Sequence, residues 1–407
     1  MLKRSRWTLL TILVLCLATV LAGCAPKATP TPVPTKAPEQ KPTEEKPVGL
    51  PDEIRIGWID AMTGEAAPGG EMDWKGAQLA NKQRPTVAGK PVKLILVDDK
   101  TDKTESALAA ARLIEVEKVQ FIIGSWYSSL ALAATEVTEP AGIPFLTPTC
   151  TNPLVTAGRP LNFRLNFIDP YQGYALAKYA VQDLGAKTAA ILMDVQQDFS
   201  VGLAKYIRDD FIALTGDEAS MLAMLSFQTG DKDFTAQLQQ IKSLNPDVVF
   251  APIYYISTAL MLKQAADLGM KPPKPYFLGS TGTDAPEFVE VAGEAAEDFR
   301  FSTSYEPTAF TSPLATKFKE DFQKEFGVDS DYSAVCSFDS YNIVLDAIEK
   351  AGTMEAIKLT DTLRAFAGWE GAGGMVTFDE NGDPAKSVVI IRIENGKRVV
   401  DTIVQPD

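Results

Sequence analysis

Two hydroxyl side chains lie where a short apolar run gives way to a loop, and together they suit the binding of an anion. Ser128 follows the apolar run Phe121–Gly124 and opens a helical pattern. Its hydroxyl can cap that helix, or it can help to hold an anion at the positive end of the helix. Thr151 lies in a loop between Pro148 and Pro153, where a threonine commonly satisfies its own backbone. Two hydroxyls with backbone amides make an anion site that needs no buried arginine or lysine.

The sequence contains no histidine, and this excludes several kinds of active site. Ser–His–Asp and Cys–His mechanisms need an imidazole, and so does every zinc site that includes a histidine. The absence of histidine does not exclude a carboxylate-based hydrolase such as a glycosidase, since that needs only two acids about 5–10 Å apart. The chain has 53 acidic residues, but no motif marks a catalytic pair among them. We therefore expect no catalytic residue, no metal and no cofactor.

The size and charge of the chain limit its partners. Its 407 residues allow two or three domains with substantial cores. A formal net charge of −14 repels nucleic acid and anionic lipid, so neither is an expected partner. Of the four cysteines, only Cys150 and Cys336 lie in the predicted folded region, far apart in sequence. They are too few for a disulfide scaffold, and two buried free thiols are favoured over a single disulfide.

The amino-terminal segment has the pattern of an export signal. Three basic residues occur within the first six, an apolar run covers residues 9–21, and the segment ends in Leu21-Ala22-Gly23-Cys24. This order predicts a signal peptide over residues 1–23. The final four residues resemble a bacterial lipobox, in which the cysteine, here Cys24, is lipidated and becomes the mature amino terminus. A retained membrane helix is the alternative, but the apolar run is shorter than the ~20 residues that such a helix needs.

Residues 24–51 and the rest of the chain differ sharply in composition. From Ala25 to Pro51 the residues are mostly Pro, Thr, Lys and Glu, which predicts an extended tether. From Glu53 onward, short apolar runs alternate with helical patterns, which predicts parallel βαβ units in an α/β fold. The first set of predicted strands is 54–59, 92–97, 120–123 and 143–146, with helices 74–82, 103–116 and 128–137. The second set has strands 188–193, 222–226, 248–252 and 276–278, with helices 174–184, 202–214, 234–243 and 258–268.

Two sets of alternating strands and helices of similar size predict two lobes. In open parallel sheets, ligands bind beyond the carboxyl ends of the strands, so a cleft between the lobes is the expected site. A set of short motifs in this frame resembles the leucine/isoleucine/valine-binding protein family. The motifs, in order, are Ala61-Met62-Thr63-Gly64, Asp98-Asp99, Phe121-Ile122-Ile123-Gly124 with Ser128-Ser129, Pro148-Thr149-Cys150-Thr151-Asn152-Pro153, Gly202-Leu203-Ala204, Asp233-Phe234, Asp247-Val248-Val249, Tyr254-Tyr255, residues 279–282 and Phe378-Asp379-Glu380-Asn381-Gly382.

The resemblance covers nearly all of residues 52–407 and implies a type I periplasmic-binding-protein fold. In that fold, two doubly wound parallel-sheet lobes are joined by three crossovers and close on the ligand like a hinge. The aligned motifs place the crossovers near Asp169, Tyr305 and Asn381. One lobe would then comprise residues 52–169 with 305–380, and the other residues 170–304 with 381–407.

The resemblance also implies a set of ligand-binding residues. Ser128 and Thr151 would contact a ligand carboxylate, together with the backbone around Thr149 and Cys150. Phe199 and Tyr254 would cover the ligand from the other lobe. For both aromatic residues, ordinary core packing is the alternative. Phe199 lacks the hydroxyl that is common at its position in the family.

The sequence departs from the family pattern at the ammonium site. Thr281 stands where the family often has an acid, and Asp284 is three residues further on as a candidate substitute. The aromatic residue expected near Gly69 is missing, and Asp102 and Tyr127 lie near the places of a cysteine pair found in some members. An unpaired buried ammonium is costly. The ligand is therefore expected to lack a free α-ammonium or to pair it differently, with a branched-chain amino acid bound through Asp284 as the alternative.

These inferences predict an extracytoplasmic solute-binding lipoprotein of an ABC transporter. Its ligand would be an amino acid or a related small organic acid, and its partners an ABC permease with its ATPase. It would lie in the periplasm or at the outer face of the cytoplasmic membrane, anchored only through the lipid on Cys24. A sensor subunit that presents its closed form to a membrane receptor is the alternative, and a carboxylate-based hydrolase is a weaker one.

Overall fold

The computed structural model describes residues 49–405. Its strands are β1 (Ile54–Asp60), β2 (Thr86–Val87), β3 (Lys90–Asp98), β4 (Phe121–Gly124), β5 (Phe145–Thr147), β6 (Asn162–Arg164), β7 (Ala189–Asp194), β8 (Met221–Phe227), β9 (Val248–Ala251), β10 (Tyr276–Gly279), β11 (Arg300–Thr303), β12 (Trp369–Gly371), β13 (Gly374–Val376), β14 (Val388–Glu394) and β15 (Lys397–Val404). Its α-helices are α1 (Ala67–Gln83), α2 (Lys103–Glu115), α3 (Ser128–Thr138), α4 (Asp169–Gln182), α5 (Asp198–Thr215), α6 (Thr235–Leu244), α7 (Tyr255–Asp267), α8 (Phe288–Ala292), α9 (Pro313–Phe326), α10 (Tyr332–Ala351) and α11 (Ala356–Arg364). The predicted signal peptide, Cys24 and most of the predicted tether lie outside the described residues.

The first sheet has six strands in the order β2-β3-β1-β4-β5-β6. All of its neighbouring pairs are parallel except β2 with β3. The central strand β1 is mostly apolar and is buried except at the half-buried Arg55. A parallel strand with helices on both faces is rich in apolar residues, which is why the sequence pattern alone located it.

The second sheet has seven strands in the order β15-β14-β11-β10-β9-β7-β8. The strands from β7 to β11 pair in parallel, and the late strands β14 and β15 add an antiparallel edge next to β11. The carboxyl-terminal part of the chain therefore completes a sheet that the middle of the chain began. The two sheets with their helices confirm the predicted α/β fold with two parallel-sheet lobes.

Helices of the first lobe pack at close range. Helix α1 contacts α10, and Gly76 lies at the point of approach. A Cβ atom at Gly76 would lie 2.1 Å from the carbonyl oxygen of Ala334, so only glycine fits there. Helix α10 begins at the cap residue Asp331, whose carboxylate accepts from the Ala334 N–H at 2.8 Å. The α1–α10 contact thus joins an early helix to a late one.

The ends of the parallel strands place the candidate site residues. In the first sheet, β4 and β5 are followed by Ser128 and by the loop that holds Thr151. In the second sheet, β7, β9 and β10 are followed by Phe199, Tyr254 and Thr281. All these positions come directly after the carboxyl end of a parallel strand, where open α/β sheets bind ligands.

The predicted elements are confirmed in type for residues 53–278. Most ends differ by a few residues, and α1 begins at Ala67 rather than at 74. Helix α5 begins at Asp198 rather than at 202, which puts Phe199 in its first turn. Cys150 and Cys336 are both buried free thiols, in agreement with the favoured interpretation. Within residues 49–405, no helix combines the length and apolar character that crossing a membrane demands.

Candidate functional site

Ser128 is buried at the amino-terminal end of α3. The helix is capped by the extended residue Tyr127, and Ser128 is the first residue inside it. Capping, the alternative role of Ser128, is not seen, because its side chain lies one position too late. Its hydroxyl oxygen instead accepts from the Asn152 N–H at 3.4 Å, so Ser128 contacts the loop that carries Thr151.

The loop after β5 is tied to the loop after β4 by short contacts. The Cys150 N–H donates to Thr147 Oγ1 at 3.2 Å, and the Cys150 thiol donates to the Ser125 carbonyl at 2.9 Å. The Thr149 hydroxyl donates to the Trp126 carbonyl at 3.3 Å. Thr149, Cys150 and Thr151 are all buried. The side chains of Thr149 and Cys150 therefore fix the loop, which leaves the hydroxyl of Thr151 as the candidate ligand contact.

Arg164, which the sequence did not single out, holds this loop from the sheet side. Its guanidinium is fully buried and donates to the carbonyls of Cys150 at 3.0 Å and Asn152 at 2.9 Å. It also donates to Thr156 Oγ1 at 2.7 Å and pairs with Asp383, which lies between β13 and β14. One arginine thus joins the loop of Thr151 to a late segment of the chain. The sequence offered little signal for this role, because the strand that Arg164 ends is only Asn-Phe-Arg.

Four aromatic rings meet between the two lobes. Tyr254, the cap residue of α7, stacks on Tyr127 with ring centroids 3.6 Å apart and lies 5.4 Å from the ring of Phe199. Trp126 lies beside both tyrosines, with its ring centroid 5.1 Å from that of Tyr127 and 5.9 Å from that of Tyr254. Trp126 and Tyr127 precede α3, whereas Phe199 and Tyr254 follow strands of the second sheet. The predicted aromatic pair therefore contacts a second pair, which sequence reasoning missed.

The close packing of Trp126 on Gly69 explains why the aromatic residue that the family resemblance implies near position 69 is missing. The indole of Trp126 packs on the Cα of Gly69, and a Cβ atom there would lie 2.2 Å from Trp126 Cε2. The Trp126 indole N–H donates to Ser333 Oγ at 2.8 Å, which fixes the ring. An aromatic side chain is therefore supplied to this place by the loop after β4 instead of by α1.

Thr281 lies deep in the second lobe and contacts Gln172. Its N–H and its hydroxyl both donate to Gln172 Oε1, at 2.9 and 3.2 Å, and Ser302 Oγ donates to the same oxygen at 2.8 Å. The Gln172 amide N–H₂ in turn donates to Asp169 Oδ1 at 3.2 Å. Thr281 is therefore linked through one glutamine to a buried carboxyl group that the sequence did not mark as a site residue.

Asp169 is buried beside Thr151. Its N–H donates to the Thr151 carbonyl at 2.9 Å, and its Oδ2 has no hydrogen-bond partner of normal geometry within residues 49–405. Burial raises the pKa of this carboxyl to about 7, although the Thr151 hydroxyl, Arg164 and Gln172 oppose the rise. Burial also raises the pKa of the Tyr254 hydroxyl, and the negative charge of Asp169 adds to that rise.

Asp284 lies away from this cluster. Its carboxylate forms a two-point ion pair with Arg398, which also donates to Glu306 Oε2 at 3.0 Å. Asp284 is buried, and its charge is already compensated by the guanidinium. The structure thus brings together Ser128, Thr149, Cys150, Thr151, Phe199 and Tyr254, joins Thr281 to them through Gln172 and Asp169, and keeps Asp284 apart.

Contacts between the lobes close the rim of the cleft. Ser129 Oγ accepts from the Asp198 N–H at 3.0 Å and lies 3.1 Å from Gln197 Oε1, so the start of α3 contacts the start of α5. The Asn152 side-chain amide donates to the Asp198 carbonyl at 2.8 Å, and Lys103 pairs with the Asp198 carboxylate at 2.9 Å.

The thiol of Cys150 at this site is not an activated nucleophile. Burial raises the pKa of the Cys150 thiol to about 12, so the thiol keeps its proton at neutral pH. Only the thiolate is a strong nucleophile. In the part of the chain that the structure describes, no group of three or more potential ligand side chains could hold a metal ion. The site offers a ligand hydroxyl groups, a helix amino terminus, stacked aromatic rings and a buried carboxyl group.

Comparisons with known proteins agree with this geometry. The structure is similar to that of a leucine-binding protein from Thermotoga maritima, with 40% identity, a TM-score of 0.83, and coverage of 87% of this chain and 99% of the other. It is also similar to a branched-chain amino acid substrate-binding protein from Streptococcus pneumoniae in complex with isoleucine, with 26% identity, a TM-score of 0.80, and coverage of 87% and 100%.

A curated sequence relative points the same way. The leucine-, isoleucine-, valine-, threonine- and alanine-binding protein of Pseudomonas aeruginosa is 28% identical over 340 residues, which cover 82% of this chain and 87% of the relative. The family model described as periplasmic binding protein matches residues 53–398. The predicted family resemblance is confirmed, and the chain belongs to the periplasmic binding protein family of solute receptors.

Proposed function

We propose that this protein is the extracytoplasmic receptor of an ABC importer and binds an amino acid with an apolar side chain, such as leucine. The observation that carries the proposal is the meeting, across the cleft, of the loops that hold Ser128 and Thr151 with Tyr254 and the first turn of α5, which contains Phe199. One side supplies hydroxyl and amide donors, and the other supplies apolar ring faces. Leucine- and isoleucine-binding relatives support this choice of ligand. The closed receptor then delivers the ligand to a permease that is driven by an ATPase.

The carboxylate of the ligand binds at the amino-terminal end of α3. Ser128 is the first residue of this eleven-residue helix, and the first backbone N–H groups of a helix lack partners within it. These groups and the helix dipole favour an anion. The hydroxyls of Ser128 and Thr151 would complete the site, with the backbone of Thr149 and Cys150 beside them. The arrangement neutralises a carboxylate without an arginine or lysine in contact with it.

The ammonium group of the ligand binds at Asp169, and this pairing compensates for the threonine at position 281. Asp169 adjoins Thr151, so the two ends of an α-amino acid would lie at neighbouring residues. Its buried Oδ2 has no other hydrogen-bond partner among the described residues. Asp284 is a poorer candidate because Arg398 already neutralises it. The ligand therefore keeps its α-ammonium and pairs it with Asp169.

Closure of two lobes traps the ligand. We assign residues 52–169 with 305–380 to one lobe and residues 170–304 with 381–407 to the other, with crossovers near Asp169, Tyr305 and Asn381. The sheet order supports this assignment, since β11, β14 and β15 belong to the second sheet while α10 packs on α1. The rim contacts of Ser129 and Asn152 with Asp198 would form on closure and break on opening.

Removal of either hydroxyl is expected to weaken leucine binding by about ten- to a hundredfold, since a hydrogen bond to a charged group contributes roughly 1.5–3 kcal/mol. The variants are Ser128→Ala and Thr151→Val, and calorimetric titration with leucine measures the dissociation constant. Ser243→Ala is the matched control, because its exposed hydroxyl donates only to the Gln240 carbonyl of its own helix. Unchanged affinity in both site variants would place the carboxylate elsewhere.

Lipid anchoring through Cys24 completes the proposal for localisation. It is supported by the basic start, the apolar run and the lipobox-like Leu21-Ala22-Gly23-Cys24 of the sequence. Replacing Cys24 with alanine is expected to release the protein from the membrane fraction, because the thiol that carries the lipid is gone. Immunoblots of fractionated cells measure this, with Cys16→Ala as the control. Mature-sized Cys24→Ala protein that stays as firmly membrane-bound as the wild type would contradict the anchor.

A further inference from the structure

A cavity lies between the lobes, and its lining includes none of the residues proposed to bind leucine. Its volume is about 620 Å³. One wall comes from α1, with Glu71 and Met72, and from the segment before α10, with Asp331. The facing wall comes from the segment after β10, with Glu287, and from Arg398 on β15. The cavity therefore joins elements packed on the first sheet to elements of the second.

The basic side chains in this cavity are already engaged. Lys75 lies 3.8 Å from the Glu71 carboxylate. Lys319 donates to the carbonyls of Pro307 at 2.7 Å and Phe310 at 3.0 Å. Arg398 is held by Asp284 and Glu306. Five acidic side chains line the same space as these three basic ones, so the acids that remain set its electrostatic character.

Two carboxylates from opposite walls keep a buried oxygen that nothing in residues 49–405 satisfies. Asp331 is 7% exposed, and its Oδ1 caps α10 by accepting from the Ala334 N–H at 2.8 Å. Its other oxygen, Oδ2, has no hydrogen-bond partner. Glu287 Oε2 on the facing wall is likewise buried and without such a partner. A buried unpaired acceptor destabilises the protein, and more so when it is charged.

The two carboxylates also repel each other. Burial is the main cause that raises the pKa of Asp331 to about 7, and the negative charges of Asp284 and Glu287 raise it further. Arg398 and the Ala334 N–H only partly offset these effects. A positive group between Asp331 and Glu287 would relieve the repulsion and supply both oxygens with a donor.

The size and lining of the cavity favour an organic cation over a metal ion. A bare metal ion is a poor fit, because the described residues contain no cluster of ligand side chains suited to one. The space is far larger than an ion, and Pro68, Met72 and Val328 give it apolar walls. An ammonium group on a short hydrocarbon stem matches both features, since the charged end meets carboxylates while the stem contacts apolar surface.

We propose that this cavity is a second binding site for a small alkylammonium ion, whose charged group lies between Asp331 of one lobe and Glu287 of the other. Because the site draws on both lobes, such a cation would bind the closed form preferentially. It would therefore favour closure independently of the proposed amino acid ligand.

Calorimetric titration of the wild-type protein with n-butylamine and with 1,4-diaminobutane tests the site, with 1-butanol as the uncharged probe. Both amines are expected to bind, and 1-butanol is not. Asp331→Asn is expected to weaken amine binding at least about tenfold while the helix cap survives, because asparagine caps helices as well as aspartate. Glu287→Gln is expected to weaken it similarly, and Glu290→Gln, an exposed charge outside the cavity, should leave it unchanged.

Each outcome is decisive for the site. Wild-type protein that binds neither amine, or variants at Asp331 and Glu287 that bind amines as the wild type does, would overturn the proposal. Calcium binding that Asp331→Asn abolishes, with no amine binding, would also overturn it in favour of a metal site. Leucine titrations run in parallel keep the two proposals distinguishable, because leucine affinity should survive Asp331→Asn and Glu287→Gln. Failure of leucine to bind would contradict the proposed function and leave the amine result standing.

Discussion

Replacing Arg164 with leucine is expected to lower the free energy of unfolding by about 3–5 kcal/mol, the range typical of breaking a buried ion pair. The guanidinium is fully buried and pairs with Asp383, which would keep an uncompensated charge. The carbonyls of Cys150 and Asn152 would lose their donors as well. Urea denaturation followed by circular dichroism measures the change. Leucine binding is expected to weaken too, because the loop of Thr151 loses its support.

Two further variants test whether the loss of stability comes from breaking the Arg164–Asp383 pair or simply from removing an arginine. Arg208→Leu removes an exposed guanidinium that pairs with the adjacent Asp209, and exposed pairs contribute only about 0–1 kcal/mol. The double variant Arg164→Leu with Asp383→Asn should recover part of the loss, since the stranded carboxylate is gone. If Arg164→Leu and Arg208→Leu unfolded at the same urea concentration, the pairing with Asp383 would contribute little to the fold.

The fold was largely predictable because parallel strands buried on both faces leave a strong signal. Runs such as the one that ends at Asp60 are short and mostly apolar. This pattern is typical of a parallel strand that is buried by helices on both faces of its sheet. The carboxyl-terminal part was harder. Strand β14 pairs with β11 from almost a hundred residues earlier, and β15 pairs with β14. No local pattern shows which sheet a strand will join. Family resemblance, rather than periodicity, supplied that assignment.

The site residues that directly follow strand ends were predictable from the sequence. Those that belong to the site only through hydrogen bonds to other side chains were not. Ser128, Thr151 and Tyr254 are visible because they come directly after apolar runs. Gln172 and Asp169 lie on α4, and their link to Thr281 depends on how that helix meets the second sheet. The packing of Trp126 on Gly69 is a tertiary fit between two lobe elements, which the chain pattern does not encode.

Asp169→Asn is expected to weaken leucine binding by about thirtyfold to a few thousandfold, the equivalent of 2–5 kcal/mol for removing one partner of a buried charge pair. Asparagine keeps the size of the side chain and removes only the charge. The fold should tolerate the change, because burial already disfavours the ionised form of Asp169. Calorimetry with leucine measures the loss, and circular dichroism melting checks the fold. Asp284→Asn, at the carboxylate held by Arg398, is the matched comparison and should retain leucine affinity.

The pH dependence of binding tests the same pairing through its sign. Since the pKa of Asp169 is raised to about 7, chiefly by burial, its carboxyl is protonated at pH 5 and ionised at pH 8. An ammonium needs the ionised form, so leucine affinity should fall as pH drops, by at most about tenfold per unit below pH 7. In Asp169→Asn this dependence should vanish. The keto acid of leucine, which lacks the ammonium, should bind wild type more weakly than leucine at pH 8. If the keto acid bound more tightly, and Asp169→Asn left leucine affinity unchanged, the ligand would be an organic acid without an ammonium group.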